Sequence, residues 1–308
     1  MADSVYDVII IGAGPAGLQA AVHAVRKKAK VLVLGKTESS SLYRAHVENY
    51  LCVDGVSDGR DLLETAVRQA QRFGAEMWGE DVLSIVQDGD LFSVDVSNGR
   101  KVAAYALVIA TGTSRKKLKV KGEKELAGRG VSYCVDCDAN FFRNARVAVV
   151  GDESAAADGA LTLTKYASEV FLICGELSVS DDLLGKLRTS KVEIVSGTRV
   201  KEISGEHAVT GVMLEDDRQL EVEGVFIELG AKGAMELATA LGVMLDTETF
   251  THIATDKKQK TNLEGIYAAG DIAGQPYQMA KAVGEGCIAG WEAANFARKQ
   301  RQLRSEND

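Results

Sequence analysis

Two sulfurs placed to react with each other stand in the middle of the chain, in Cys134-Val135-Asp136-Cys137-Asp138. Cysteines at this spacing can close a disulfide across one turn and reopen it by thiolate attack, provided electrons are supplied. The same spacing serves half of a zinc site and many structural pairs, so the motif by itself leaves more than one chemistry open. Zinc requires further ligands. The other cysteines, Cys52, Cys174 and Cys287, are isolated, and His23, His46, His207 and His252 are scattered singly, so no second ligand pair is visible. Redox exchange is the expected chemistry, and the rest of the sequence has to provide the electron source.

The elements that would position such a source lie at both ends of the chain. Val5 to Ile11 is a largely aliphatic run with little alternation, the pattern of a strand buried on both faces of a parallel sheet. It enters Gly12-Ala13-Gly14-Pro15-Ala16-Gly17, a helical pattern from Leu18 to Arg26, and a second strand at Lys30 to Leu34. A dinucleotide turn needs a first glycine for the tight bend, a second for backbone approach to a pyrophosphate, and a third for helix packing on strand. Gly12, Gly14 and Gly17 meet those demands, and the strand before and helix after them supply the context that makes the motif meaningful. Beyond the second strand the only acidic candidate for the ribose hydroxyls is Glu38, and it lies late. Near the other end, Gly265-Ile266-Tyr267-Ala268-Ala269-Gly270-Asp271 reads as a short apolar strand ending in Gly-Asp, followed by a helix from about Ala280 to Phe296.

Composition bounds the rest. A chain of 308 residues with 46% hydrophobic and 26% charged residues can bury a full core and is expected to split into two domains. Thirty-one glycines against two prolines suit many tight strand-to-helix turns. No basic leader with an apolar core precedes the first strand and no apolar run approaches a membrane span, so a cytosolic protein is expected, with no membrane partner. In a reducing compartment a Cys-x-x-Cys pair is more often catalytic than structural. The net charge of -8 gives no support to nucleic-acid binding.

Gly12 to Gly17, Ala110-Thr111-Gly112, Cys134 to Cys137 and Ala268-Ala269-Gly270-Asp271 occur in the order and at about the spacing of the low-molecular-weight thioredoxin reductases, FAD-dependent dithiol oxidoreductases. Val47-Glu48-Asn49, Gln69-Ala70, Phe73-Gly74-Ala75-Glu76 and Gly286-Cys287 resemble that family too, so the likeness runs nearly end to end. The resemblance implies an α/β fold of two Rossmann-like, three-layer nucleotide-binding domains, the second inserted in the first. An FAD-binding domain is expected at 1–115 and 246–308, and a dithiol domain at 116–245. It implies that FAD is held by Gly12, Gly14, Pro15, Ala16, Gly17, Thr111, Gly112 and Gly270, with Asp271 on the ribityl chain, Asn49 beside the flavin, and Met279 and Ala280 near its ring. A helix N-cap is the alternative role for Asp271. The resemblance further implies that Cys137 is the flavin-proximal sulfur, that Cys134 attacks the partner disulfide, and that Asp138 is the acid/base. A carboxyl beside thiols can shuttle their proton when burial raises its pKa. The alternative for Asp138 is a cap on Asn140-Phe141-Phe142. Thioredoxin or a similar disulfide protein is the implied acceptor, a homodimer the implied assembly, and rotation of the dithiol domain the family's means of serving both partners.

The inserted domain departs from the family. Arg146 to Val150 is a buried strand leading into Gly151-Asp152-Glu153-Ser154-Ala155-Ala156, where Glu153 takes the place of a glycine. A side chain there blocks backbone approach to a pyrophosphate. Its charge adds to the obstacle, because a carboxylate about 4 Å from a phosphate costs about 4 kcal/mol at an effective dielectric near 20. The strand Glu169 to Cys174 leads into Gly175-Glu176 with no arginine before Arg188, so nothing is ready for the 2'-phosphate of NADPH. Glu176 leaves open the ribose of NAD, as does a degenerate turn that binds NADH weakly. The combination resembles the pyridine-nucleotide-independent branch, near the deeply rooted cyanobacterial and ferredoxin-dependent flavin thioredoxin reductases. The expected function is an FAD-dependent disulfide oxidoreductase fed by another donor such as ferredoxin; an NADH-linked enzyme and a flavin redox sensor without turnover are the alternatives. The basic run Arg115-Lys116-Lys117-Leu118-Lys119-Val120-Lys121 suits an acidic redox protein, or else is a solvated linker. A second basic cluster, Arg298 to Arg304, is expected on a frayed C-terminal helix.

Overall fold

The computed structural model describes residues 4–113, 117–230, 234–247 and 251–307. The chain divides into two compact units, one built from 1–96, 100–114 and 233–308, the other from 97–99 and 115–232. The second is therefore inserted in the first.

In the first unit the strands Glu76–Trp78, Val31–Leu34, Ser4–Ile11 and Lys101–Ile109 lie side by side in parallel. The nine-residue strand Lys101–Ile109 has two neighbours on its free edge. Its first half pairs antiparallel with Leu91–Val96, which continues into Val82–Asp88, and its last three residues pair parallel with Ile266–Ala268. The aliphatic stretch 8–11 of Ser4–Ile11 follows from burial on both faces. Val8 and Ile10 join Val31, Val33, Ala106 and Val108 beneath the helices Pro15–Arg26 and Met279–Asn307. Ile9 and Ile11 join Leu32, Leu34, Leu107 and Ile109 on the opposite face.

That opposite face is covered in part by Leu237 and Ala238 of the helix Ala234–Ala240, with Val243 and Ile253. The junction expected near residue 245 thus falls at 232–233, because the apolar residues of 237–245 complete the first sheet's core. The C-terminal helix also runs further than its apolar pattern, through Asn307. Within its basic cluster, Arg301 lies 3.2 Å from both carboxylate oxygens of Asp7, which is buried and also accepts the Lys30 N–H at 2.7 Å. A buried carboxylate needs such partners.

The second unit holds a five-stranded parallel sheet in the order Val192–Ser196, Glu169–Cys174, Arg146–Val150, Gly224–Ile227, Val131–Ser132. The helices Ser154–Leu163 and Asp181–Thr189 belong to the same unit, beside a three-stranded antiparallel sheet from Val200–Ser204, Gly211–Leu214 and Gln219–Leu220. Arg115 and Lys116 of the basic run lie outside the described residues. From Lys117 to Lys121 the run is a pinned segment: Leu118 and Val120 pack toward the core while Lys117, Lys119 and Lys121 are exposed. Buried Glu123 holds it there, accepting the Leu118 and Lys119 N–H groups at 3.2 and 2.5 Å and the Tyr133 hydroxyl at 2.9 Å. Burial, and then that bond to Glu123, push the pKa of the Tyr133 hydroxyl up to about 12. Lys121 pairs with Glu202 at 2.7 Å. Among the described residues no helix is long and apolar enough to cross a membrane.

Candidate active site

Cys134 follows the edge strand Val131–Ser132 and stands at the N-cap of the one-turn helix Val135–Asp138, which brings its sulfur onto Cys137. The two form a disulfide with their Cα atoms 5.3 Å apart. Cys134 is only 5% exposed whereas Cys137 is exposed, so the sulfurs are not equivalent toward solvent. The Cys137 N–H donates to the Cys134 Sγ at 3.2 Å. The serine before the motif organises it: buried Ser132 accepts the Cys134 N–H at 3.1 Å and donates its hydroxyl to the Asp138 Oδ2 at 2.6 Å. Asp138 makes no side-chain cap to the 3-10 turn Ala139–Phe142, so its carboxylate is turned back toward the redox turn's own serine. Ser132 was not singled out from the sequence, since a serine in a strand carries no signal of its own.

The expected cofactor residues of the first unit lie at the carboxyl ends of three neighbouring parallel strands, Ser4–Ile11, Lys101–Ile109 and Ile266–Ala268. Gly12 has φ +113° and a Cβ on it would sit 2.4 Å from the Ala110 carbonyl oxygen; one on Gly17 would sit 1.9 Å from the Gly12 oxygen. Both glycines are demanded by the protein itself. Gly14 differs, because a Cβ there would meet only Ser40 Oγ at 3.3 Å, which leaves its outer side for a ligand. Pro15 opens the helix, where its missing N–H costs nothing, and Ala16 is buried against Gly270, whose Cβ would lie 2.9 Å from its own. Thr111 is exposed, and Gly112 has φ +73° with open space around it.

The Gly-Asp turn is clamped by the last helix. Lys281 donates to the Gly270 and Gly274 carbonyls at 2.8 and 2.6 Å, and Glu285 accepts the Gly270 N–H at 2.9 Å while pairing with Lys281 at 2.9 Å. Asp271 lies inside the short 3-10 turn Asp271–Ala273 and does not cap it, and among the described residues its carboxylate accepts no hydrogen bond. Burial pushes that carboxyl up, with Lys281 drawing it down, Glu285 raising it and His252 lowering it. A partly desolvated carboxylate that accepts no hydrogen bond, beside an open glycine turn, fits a ligand bearing hydroxyls. Asn49 is exposed and donates to the Gln278 side chain at 3.1 Å, next to Met279, which packs with Leu18, Val47 and Leu63. Ala280 is exposed at the start of the helix. Glu38 is exposed in the turn Thr37–Ser39 and makes no side-chain cap there. Lys281 and Glu285 were missed in the sequence; their i,i+4 spacing reads as an ordinary helix-surface pair.

In the second unit the corresponding turn is engaged from within. Asp152 accepts the Gly175 N–H on Oδ1 at 2.7 Å and the Ser178 N–H on its carbonyl at 2.7 Å, and Arg199 lies 3.8 Å from its Oδ2. The loop that would carry the adenosine ribose is thereby folded onto the turn that would carry the pyrophosphate. Glu153 stands at the N-cap of the helix Ser154–Leu163 without capping it, which puts fixed negative charge where a phosphate would draw on the helix end. Glu176 is exposed just beyond the strand Glu169–Cys174.

Two dinucleotide-type units, one with an FAD-type glycine turn and the other with a redox disulfide, define a flavoprotein disulfide reductase. The chain belongs to the pyridine nucleotide-disulphide oxidoreductase family, whose profile matches residues 6–286, and within it to the low-molecular-weight thioredoxin reductases. It is 35% identical over 312 aligned positions to a thioredoxin reductase of Listeria monocytogenes, covering 97% of this chain and 96% of that one. Among solved structures it is similar to the atypical thioredoxin reductase TRi of Desulfovibrio vulgaris Hildenborough, with a TM-score of 0.82 and 33% identity over 95% of this chain and 98% of that one. It is also similar to a ferredoxin-flavin thioredoxin reductase of Clostridium acetobutylicum, with a TM-score of 0.67 and 33% identity over 95% of this chain and 98% of that one. FAD is the cofactor of this class, and the open Gly14 face with the Asp271 carboxylate fits it.

Proposed function

We propose that this enzyme reduces thioredoxin or a similar protein disulfide with electrons that do not come from NADPH, and that its donor is an acidic redox protein of the ferredoxin kind. The observation that carries the reading is the internal engagement of the second nucleotide turn, where Asp152 takes the Gly175 N–H and Glu153 occupies the helix N-cap. The similarity to a ferredoxin-flavin thioredoxin reductase supports the choice of donor, as do the outward lysines 117, 119 and 121 on their pinned segment in a chain of net charge -8. A homodimer working in the cytosol is part of the same proposal.

FAD, held by Gly12, Gly14, Pro15, Ala16, Gly17, Thr111, Gly112, Gly270 and Asp271 with Asn49, Met279 and Ala280 beside it, supplies a two-electron reductant when bound. Uptake of two electrons and two protons breaks the Cys134–Cys137 bond to a dithiol. Asp138, oriented by Ser132, holds or releases the proton of the adjacent thiol. Cys134 as thiolate attacks one acceptor sulfur and the acceptor disulfide breaks, its second sulfur leaving as thiolate. Cys137 as thiolate then attacks Cys134, re-forms the internal disulfide and expels the first acceptor sulfur, which is protonated. Because Cys134 is 5% exposed, its sulfur must be uncovered before the attack.

The test is anaerobic: flavin absorbance is followed on adding NADPH, NADH or chemically reduced ferredoxin, and thioredoxin is then added. Bleaching by ferredoxin alone, with return of the oxidised spectrum on adding thioredoxin, is the expected result. Exposed Glu176 favours one second reading, a ribose contact to NADH. Rapid bleaching by NADH would establish it in place of the first, and reduction without transfer to any disulfide would point to a sensor.

A further inference from the structure

The turn that presents Asp271 is held by an ion pair that does not itself belong to the cofactor's expected contacts. Gly270 and Gly274 bound the 3-10 turn Asp271–Ala273 with φ +87° and +110°, backbone that other residues rarely adopt. Two such glycines around a binding carboxylate are hinges unless something fixes them. Lys281 donates to the Gly270 carbonyl at 2.8 Å and to the Gly274 carbonyl at 2.6 Å, and Glu285 accepts the Gly270 N–H at 2.9 Å. Both peptide planes that meet at Gly270 are thereby gripped, and with them its φ and ψ.

An ammonium has three N–H groups. Those of Lys281 are all committed, to the two carbonyls and to the Glu285 carboxylate at 2.9 Å. The two side chains are only 14% and 18% exposed, so solvent and salt screen their charges little. The lysine therefore acts on a ligand through the turn and through its field, not by direct contact. Burial pushes the Asp271 carboxyl up, Lys281 draws it down, Glu285 raises it and His252 lowers it. His252 comes from the segment whose Ile253 N–H donates to the Ile272 carbonyl at 2.8 Å, and it shares a hydrogen bond with the Tyr277 hydroxyl at 2.7 Å. The helix Pro15–Arg26, whose Ala16 lies against Gly270, has no acidic residue in its first turn.

We propose that Lys281 is a positioning residue for FAD: it locks both glycine hinges around Asp271 and balances that carboxylate's charge, while Glu285 anchors the lysine. The inference rests on the reading of Asp271 as the acceptor for a ribityl hydroxyl, and not on the identity of electron donor or disulfide acceptor. FAD then meets a turn already ordered, which removes an ordering cost from binding. An ionised carboxyl accepts a hydroxyl more strongly than a neutral one. Removing the cation leaves the Asp271 carboxyl protonated to higher pH, so the loss of FAD affinity must deepen as pH falls. Removing the Glu285 charge acts in the opposite sense.

FAD is titrated into full-chain apoprotein and followed by flavin fluorescence from about pH 6 to 8.5, above the ordinary carboxylate range. His252 is common to every variant. Lys281→Met is expected to bind FAD about tenfold or more weakly at the acid end, the scale of a lost hydrogen bond to a charged group, with the gap narrowing toward the alkaline end. Glu285→Gln keeps an oxygen for the Gly270 N–H and for Lys281, and is expected to bind at least as tightly as wild type throughout. A Lys281→Met deficit equal at every pH overturns the proposal, because it reduces the lysine to a brace. So does the absence of any deficit, or a Glu285→Gln variant that binds more weakly than wild type. Should the Lys281→Met apoprotein melt too low to titrate, Lys281→Gln, which keeps amide donors without the charge, must show the same pH signature; its absence there overturns the proposal equally. Asp271→Asn separates the two layers. Wild-type affinity in that variant removes the Asp271 reading and the proposal with it, whereas a weakened Asp271→Asn beside unchanged Lys281 variants removes the proposal alone.

Discussion

At the dithiol the two sulfurs are chemically alike but differently placed: Cys134 is buried with its N–H on Ser132, and Cys137 is exposed with its N–H on the partner sulfur. Cys137→Ser should therefore leave FAD content and fold intact while abolishing transfer to disulfides, measured as flavin-to-protein ratio and thioredoxin reduction. Undiminished turnover would remove the pair from the mechanism. Asp271 allows a test that separates binding from stability. Its carboxyl binds a proton more tightly in the folded chain than in the unfolded one, so its contribution is most favourable at low pH and is lost as pH rises from the ordinary carboxylate value through the raised folded one. Asp271→Asn at pH 7 should give an apoprotein that melts no lower than wild type, yet weaken FAD by tenfold or more, the scale of a lost hydrogen bond to a charged group. Calorimetry of the apoprotein and a flavin titration check the two halves. The sequence displays both cysteines, Asp138 and Asp271 because each stands in a motif. It hides Ser132, Lys281 and Glu285, which reach main-chain partners brought close only by folding and carry no mark of their own.

Among the elements, the contact of Pro15–Arg26 with Met279–Asn307 is set by missing side chains. A Cβ on Gly286 would lie 2.1 Å from the Ala16 carbonyl oxygen, and one on Gly290 would lie 2.1 Å from that of Ala20. The first helix is thus seated from behind, and its N-terminal turn carries Gly14, whose outer side is open. Gly290→Ala is expected to destabilise the protein by about 1–3 kcal/mol, the usual cost of overpacking, and to loosen FAD with it. Thermal melts with and without added FAD measure both effects. Strands such as Ser4–Ile11 and Arg146–Val150 were legible because burial on both faces forces largely aliphatic runs. The end of the C-terminal helix was not, since its last turns are held by polar contacts such as Arg301 on Asp7, which leave no apolar period to follow. The junction after the inserted unit was misplaced for a related reason. Leu237 and Ala238 advertise a buried helix without saying which of two sheets buries it.

For the whole molecule, the defining feature is that two units of one architectural type have been given different tasks. One keeps the open glycine turn that a dinucleotide needs, and the other has turned the same device inward, with Asp152 holding the Gly175 N–H and the Ser178 N–H lying on its carbonyl. This self-occupancy has a consequence for any attempt to graft pyridine-nucleotide dependence onto the chain. Glu153→Gly removes one obstacle and leaves the latch shut, so the single variant should show no NADPH-driven bleaching of the flavin in a stopped-flow trace. Opening the latch means replacing Asp152 as well and supplying a cation near Glu176, and the loop thereby released would have to be ordered again by its new cargo.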